Sequence, residues 1–228
     1  PRVEADLGAL PARGRQETWR AVGLRPPKGT VEKTVRRGLE PKGSVQIHFT
    51  GPFDWSRQNE YELQSLREAF GIKLREVLRE DESGTYYPGV SASATREPVP
   101  QFSTRVSFGC APARVEELTR LVQVQTDSLR EAGLPESYVA KVKESQRRAR
   151  ETALRDNGFW LNSLASRYST GEDPSTIMDF DRMVSGLTTE TLHRAARRYL
   201  DPANCARFVR LPDAAAQPAV GTDPGAGR

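Results

Sequence analysis

The sequence predicts an α+β fold, an antiparallel sheet with helices packed on one of its faces. Short segments of alternating apolar residues occur early, midway and at the close of the chain. Longer segments with apolar residues at three- and four-residue spacing separate them. Read in order, they give β-β-α-β-β-α-α-α-α-β, which suits a layer of helices on an antiparallel sheet.

The first strand is predicted over Thr30 to Arg37, where Val31, Lys33 and Val35 alternate with polar neighbours. The second, Ser44 to Thr50, carries Val45, Ile47 and Phe49 on one face and Gln46 and His48 on the other. Gly38 to Gly43 reads as a hairpin loop between them. Gly51-Pro52-Phe53-Asp54 is a turn, and Asp54 or Ser56 is placed to cap a helix. Leu63, Leu66, Phe70, Leu74 and Val77 give that helix its apolar stripe, through about Arg79. Strands follow near Thr85 to Ala94 and Phe102 to Cys110, with Pro98 and Pro100 in the loop between.

Val115, Leu118, Leu121, Val122 and Leu129 mark a helix closed by Gly133, and Pro135 suits the first turn of the next, which runs to about Arg155. Phe159, Trp160, Leu164 and Tyr168 indicate a third. A short helix near Pro174 to Val184 precedes one from Thr188, which Asp201-Pro202 ends. Asn204 to Leu211 is the closing strand. Val3 to Pro11 reads as the last turn of a helix, as if the chain began inside an element of a longer protein. The expected division is residues 1–21 as that remnant and its connection, 22–212 as the α+β domain, and 213–228, rich in Ala, Pro and Gly, as a disordered tail.

Composition narrows the function classes. Hydrophobic residues make up 36% of the 228 and charged residues 28%, which is polar but globular. No run approaches the roughly 18 to 20 apolar residues that span a bilayer. The 34 Lys and Arg are interleaved with 30 Asp and Glu, so the basic balance reads as solvated faces and not a nucleic-acid groove. An RNA-binding reading would also want aromatics on paired central strands, and here Tyr86, Tyr87, Phe102 and Phe108 are scattered. Cys110 and Cys205 lack metal-ligand spacing; they suit buried thiols, or one disulfide if the fold joins them.

The chemistry of a self-contained enzyme is missing from the pattern. The chain has two histidines, His48 and His193, and neither has a glutamate or second histidine at the spacing a zinc protease motif needs. No GxSxG elbow frames a serine, and the glycines form no phosphate-cradling pattern. Neither a metal nor a cofactor site is expected within this chain.

One stretch carries more information. Leu78-Arg79-Glu80-Asp81-Glu82-Ser83-Gly84-Thr85-Tyr86-Tyr87-Pro88 joins a helix end to a strand. It resembles the arginine-to-tyrosine segment in the C-terminal half of pitrilysin/insulinase-family zinc proteases. Asp6-Leu7-Gly8-Ala9-Leu10-Pro11, Arg25-Pro26-Pro27-Lys28-Gly29 with Val35 to Lys42, and the closing Leu187-Thr188-Thr189-Glu190 helix resemble further pieces of that family in the same serial order. The resemblance covers about residues 3 to 212.

The resemblance implies a C-terminal, non-zinc-binding domain that closes over peptide substrate and is inactive alone. Zinc, general base and water would come from an N-terminal half bearing an inverted HxxEH motif, its partner. Family spacing selects Arg79 and Tyr86, seven residues apart, as substrate and oxyanion support. Tyr86 would donate to the carbonyl oxygen under attack, and Arg79 would hold a backbone carbonyl nearby. Tyr87 competes for the tyrosine role, since neighbouring strand residues point to opposite faces, and Glu82 could pair with Arg79. The plain alternative makes Arg79 a helix-dipole partner and Tyr86 a packing residue. A catalytically silent scaffold of the same fold is the competing function. The compartment stays open, with a periplasmic or secreted bacterial setting favoured by the resemblance.

Overall fold

The computed structural model describes residues 2–11, 14, 18, 20, 22–23, 25–79 and 86–213. The expected tail falls almost wholly outside these residues, as does much of the connection before residue 25. A helix α1 covers Arg2–Gly8. Strands β1 (Val31–Arg36) and β2 (Gly43–Pro52) lead into the long helix α2 (Arg57–Arg79). Strands β3 (Tyr86–Thr95) and β4 (Gln101–Cys110) follow. Then come α3 (Val115–Glu131), α4 (Glu136–Ala153), α5 (Asn157–Thr170), α6 (Phe180–Ser185) and α7 (Thr189–Tyr199), and β5 (Cys205–Leu211) closes the domain.

The caps explain several boundaries. Ser56 Oγ accepts from the Asn59 N–H at 3.0 Å, starting α2. Thr188 Oγ1 accepts from the Thr191 N–H at 3.1 Å, starting α7. Gly133, at φ 73°, turns the chain out of α3, and a Cβ there would meet the His193 ring at 3.3 Å.

The five strands form one sheet in the order β1-β5-β2-β4-β3. The pairs β5–β2, β2–β4 and β4–β3 are antiparallel, and the edge strand β1 runs parallel to β5. This corrects one expectation, because residues 37–42 do not close a hairpin. The final strand inserts between β1 and β2, and the link crosses over it. Asn204 holds this arrangement, accepting from the Gly29 N–H at 2.8 Å and donating through Nδ2 to the Thr50 carbonyl.

One face of the sheet is covered. Val45, Ile47, Phe49, Val106 and Phe108 project into the core, against Leu63, Leu66, Phe70 and Leu74 of α2. Leu118 and Val122 of α3 and Leu192 and Ala196 of α7 complete that layer. Tyr199 packs edge-on to Phe102 with ring centres 5.0 Å apart.

The other face is bare among the described residues. Alternation sends Ser44, Gln46, His48 and Thr50 of β2 to it, with Ser103, Arg105 and Ser107 of β4 opposite. Gln46, Arg105, Ser91, Ser93 and Arg210 are exposed there, and Phe208 is 39% exposed.

Candidate functional site

The segment singled out in the sequence joins α2 to β3. The described residues of α2 run to Arg79 and those of β3 begin at Tyr86. Residues 80–85, including Glu82, lie outside the described residues, and so do the side chains of Arg79, Tyr86 and Tyr87. What the backbone gives is register.

Val90 to Thr95 pair with Val106 to Gln101 without a break, and Gly89 pairs with Ser107. Tyr86 pairs with Gly109, so a bulge lies between Tyr86 and Gly89. Two residues, Tyr87 and Pro88, thus stand against Phe108, a core-facing residue. Tyr86 takes the position opposite Gly109, which itself pairs with Ser44. That row continues through Arg210 to Val35 and belongs to the bare face.

The histidines are engaged structurally. The His48 ring bonds Gln46 at 3.2 Å and stands edge-on to Phe208 at 5.7 Å. Burial, then the Arg105 charge, lowers its pKa below the ordinary value. His193 Nε2 bonds the Arg130 carbonyl at 2.8 Å. Cys110 and Cys205 are both free thiols, and burial pushes Cys205 up to about 11. Among the described residues, no group of three or more His, Cys, Asp or Glu side chains could hold a metal ion. With both imidazoles bonded to neighbours, the donor set among the described residues does not fit zinc.

A groove of about 820 Å³ lies elsewhere, between Pro26, Pro27, Phe53, Phe102 and Arg198. It sits at the Gln101 end of β4, whereas Tyr86 pairs near the Cys110 end. Eight residues of strand separate the two, about 27 Å. The groove is therefore remote from the α2–β3 junction.

Residues 2–146 match the family model described as the peptidase M16 inactive domain, more than half of the chain. The chain belongs to this family. The peptidase M16 inactive domain also has a curated relative here, the probable zinc protease PqqL of Haemophilus influenzae. It is 29% identical over 191 residues, covering 81% of this chain and 20% of the relative. The chain thus spans about a fifth of that protein.

Solved structures show the same fold. The ferredoxin protease FusC, in complex with Arabidopsis ferredoxin, superposes with TM-score 0.78 at 23% identity, covering 93% of this chain and 23% of its own. The periplasmic protease PqqL of Escherichia coli gives TM-score 0.71 at 21% identity, over 82% of this chain and 21% of its own. An M16 inactive domain from Pseudomonas fluorescens gives 0.66 at 19% identity, over 85% of this chain and 46% of its own.

The bulge is the feature that sequence reasoning missed. Pro88 next to Gly89 was the available signal, because proline inside a strand favours an edge or a bulge.

Proposed function

We propose that this M16 inactive domain is the substrate-closing half-domain of a zinc endopeptidase. In this reading Tyr86 and Arg79 face peptide bound at a zinc site on a preceding domain. Metal, base and attacking water belong to that domain, and this chain alone hydrolyses nothing. Tyr86 donates its phenol O–H to the carbonyl oxygen as negative charge develops there. A preorganised donor of this kind is typically worth about 10² to 10³ in rate. Arg79 offers a planar fork of N–H donors to a substrate backbone carbonyl.

The observation that carries the reading is the register. Tyr86 occupies the bare-face row opposite Gly109, while Tyr87 and Pro88 occupy the core-facing position opposite Phe108. This favours Tyr86 over Tyr87 as the substrate-facing tyrosine. A periplasmic or secreted setting is part of the reading, as the E. coli relative is a periplasmic protease.

The test is steady-state kinetics of the complete protease. Tyr86→Phe is expected to lower kcat by about 10² to 10³ with little change in KM, because the contact strengthens only in the transition state. Tyr87→Phe should change kcat far less, and Arg79→Lys should lose activity through the missing fork. Wild-type turnover for Tyr86→Phe would return this segment to packing and the domain to a scaffold role.

A further inference from the structure

The bare face carries a charge pattern that its composition alone would hide. Its side chains stand in rows across the strands. One row runs Val31, Ala206, His48, Arg105, Ser91; the next runs Lys33, Phe208, Gln46, Ser107, Gly89. A third runs Val35, Arg210, Ser44 and Gly109. Lys33, Arg105 and Arg210 are exposed cations, and none makes an ion pair among the described residues. No strand residue projecting to this face is Asp or Glu.

The helical side carries carboxylates among its cations. There Arg57 pairs with Glu60 and Glu172, Lys141 with Glu76, and Arg148 with Glu144. On α3, Glu116, Glu117, Asp127 and Glu131 are interspersed with Arg120 and Arg130. The described strand residues of the bare face thus carry three cations and no carboxylate, whereas the helical side carries both signs.

We propose that the bare sheet face binds acidic, unfolded polypeptide, so that the half-domain selects for acidic substrate segments. This deepens the function proposed above and rests on it. The guanidinium groups of Arg105 and Arg210 and the ammonium of Lys33 receive Asp and Glu carboxylates through charge-assisted hydrogen bonds. Hydroxyls of Ser44, Ser91, Ser93, Ser103 and Ser107 bond the peptide backbone. Phe208, partly exposed between Lys33 and Gln46, gives an apolar anchor. The three cations are spread over three of the five strands, so an extended segment lying across the sheet meets them in succession. Electrostatic complementarity of this kind sets partner choice and association rate.

A polyanion of another class, single-stranded RNA, would need several stacking rings. The described side chains of this face supply only Phe208 and the His48 ring. Acidic polypeptide is therefore the better fit.

The experiment is fluorescence anisotropy on this chain with three labelled, unstructured peptides of equal length, one Glu-rich, one Lys-rich and one neutral. The Glu-rich peptide is expected to bind best, with affinity falling steeply as salt is raised. Lys33→Glu/Arg105→Glu/Arg210→Glu should weaken that binding by about tenfold or more. Arg120→Glu/Arg155→Glu/Arg197→Glu, which makes the same change in net charge on the helical side, should leave it nearly unchanged. If reversal disturbs folding, as read by circular dichroism, Lys33→Gln/Arg105→Gln/Arg210→Gln makes the same comparison with charge merely removed. Equal losses in the bare-face and helical-side variants, no loss in either, or tighter binding of a single-stranded RNA would overturn the proposal. Tyr86→Phe separates the two readings: lost turnover in the protease without peptide selection by this face removes only the present inference.

Discussion

Ile47 and His48 are neighbours on β2, paired with Val106 and Arg105 on β4, yet they live in different chemistries. Ile47 is 3% exposed under the helices, and His48 looks out from a face that no described element covers. A strand with period two divides its residues between two tasks. The covered side holds the fold through apolar burial and close packing. The bare side buries less apolar surface, so substitutions there are expected to cost less.

If that division is right, the largest loss should come from the covered side. Phe70 of α2 is fully buried in the core. Phe70→Ala removes a ring from a packed layer and should cost about 3–5 kcal/mol, measured as a lower denaturant midpoint at unchanged slope. A loss under about 1 kcal/mol would mean that the helix layer is loosely seated on the sheet.

The rim of the covered side should respond less. Glu172 follows α5 and accepts from Arg57 Nε at 2.7 Å and from Arg96 at 3.4 Å, tying α5 to the start of α2. The Arg57 hydrogen bond, more than any other interaction, holds its carboxyl below the ordinary 4.5. A carboxyl lowered on folding stabilises above its unfolded pKa, and that contribution is lost as pH falls through the folded value. Glu172→Gln should therefore cost about 1–3 kcal/mol at neutral pH. The difference between variant and wild type should shrink as pH drops below about 4. An undiminished difference in acid would assign the effect to packing and not to charge.

The covered side was the easier of the two to read in the sequence. Leu63, Leu66, Phe70 and Leu74 at helical spacing, and Val45, Ile47 and Phe49 in alternation, announce both elements and their buried faces. Strand order was not legible, because periodicity states which face is apolar and says nothing about the neighbour. Hence β5, last in sequence, could insert between β1 and β2 against the expected hairpin. The bare-face charge pattern was hidden for the same reason. Lys33, Arg105 and Arg210 lie far apart in sequence and share a surface only through register. Arg79 and Tyr86 were proposed from spacing and resemblance, and the backbone register at Tyr86 depends on a bulge that spacing does not encode.

The smallest expected effect lies on the bare side, at His48. Its neighbours are Gln46 on its own strand, Arg105 on β4, and Ala206 and Phe208 on β5. None is acidic, so nothing there rewards a charged imidazole. Burial, followed by Arg105, lowers its pKa below 6.5. The sign follows from proton counting. Between the folded value and about 6.5 the unfolded chain binds more protons at this site than the folded one, so stability rises with pH across that window. Acidification from pH 7.5 toward 5.5 should thus cost the wild type a fraction of its stability that His48→Gln does not lose. Because His48 is only half-buried, the expected difference is within about 0.5 kcal/mol, the range of ordinary surface substitutions. Paired thermal melts at the two pH values read it directly as a difference in Tm shift. A wild type that loses no more than the variant would show that the imidazole is solvated in both protonation states. A much larger loss would mean that His48 is more deeply buried than a bare face allows, and the division between the two sides of the sheet would fail at its centre.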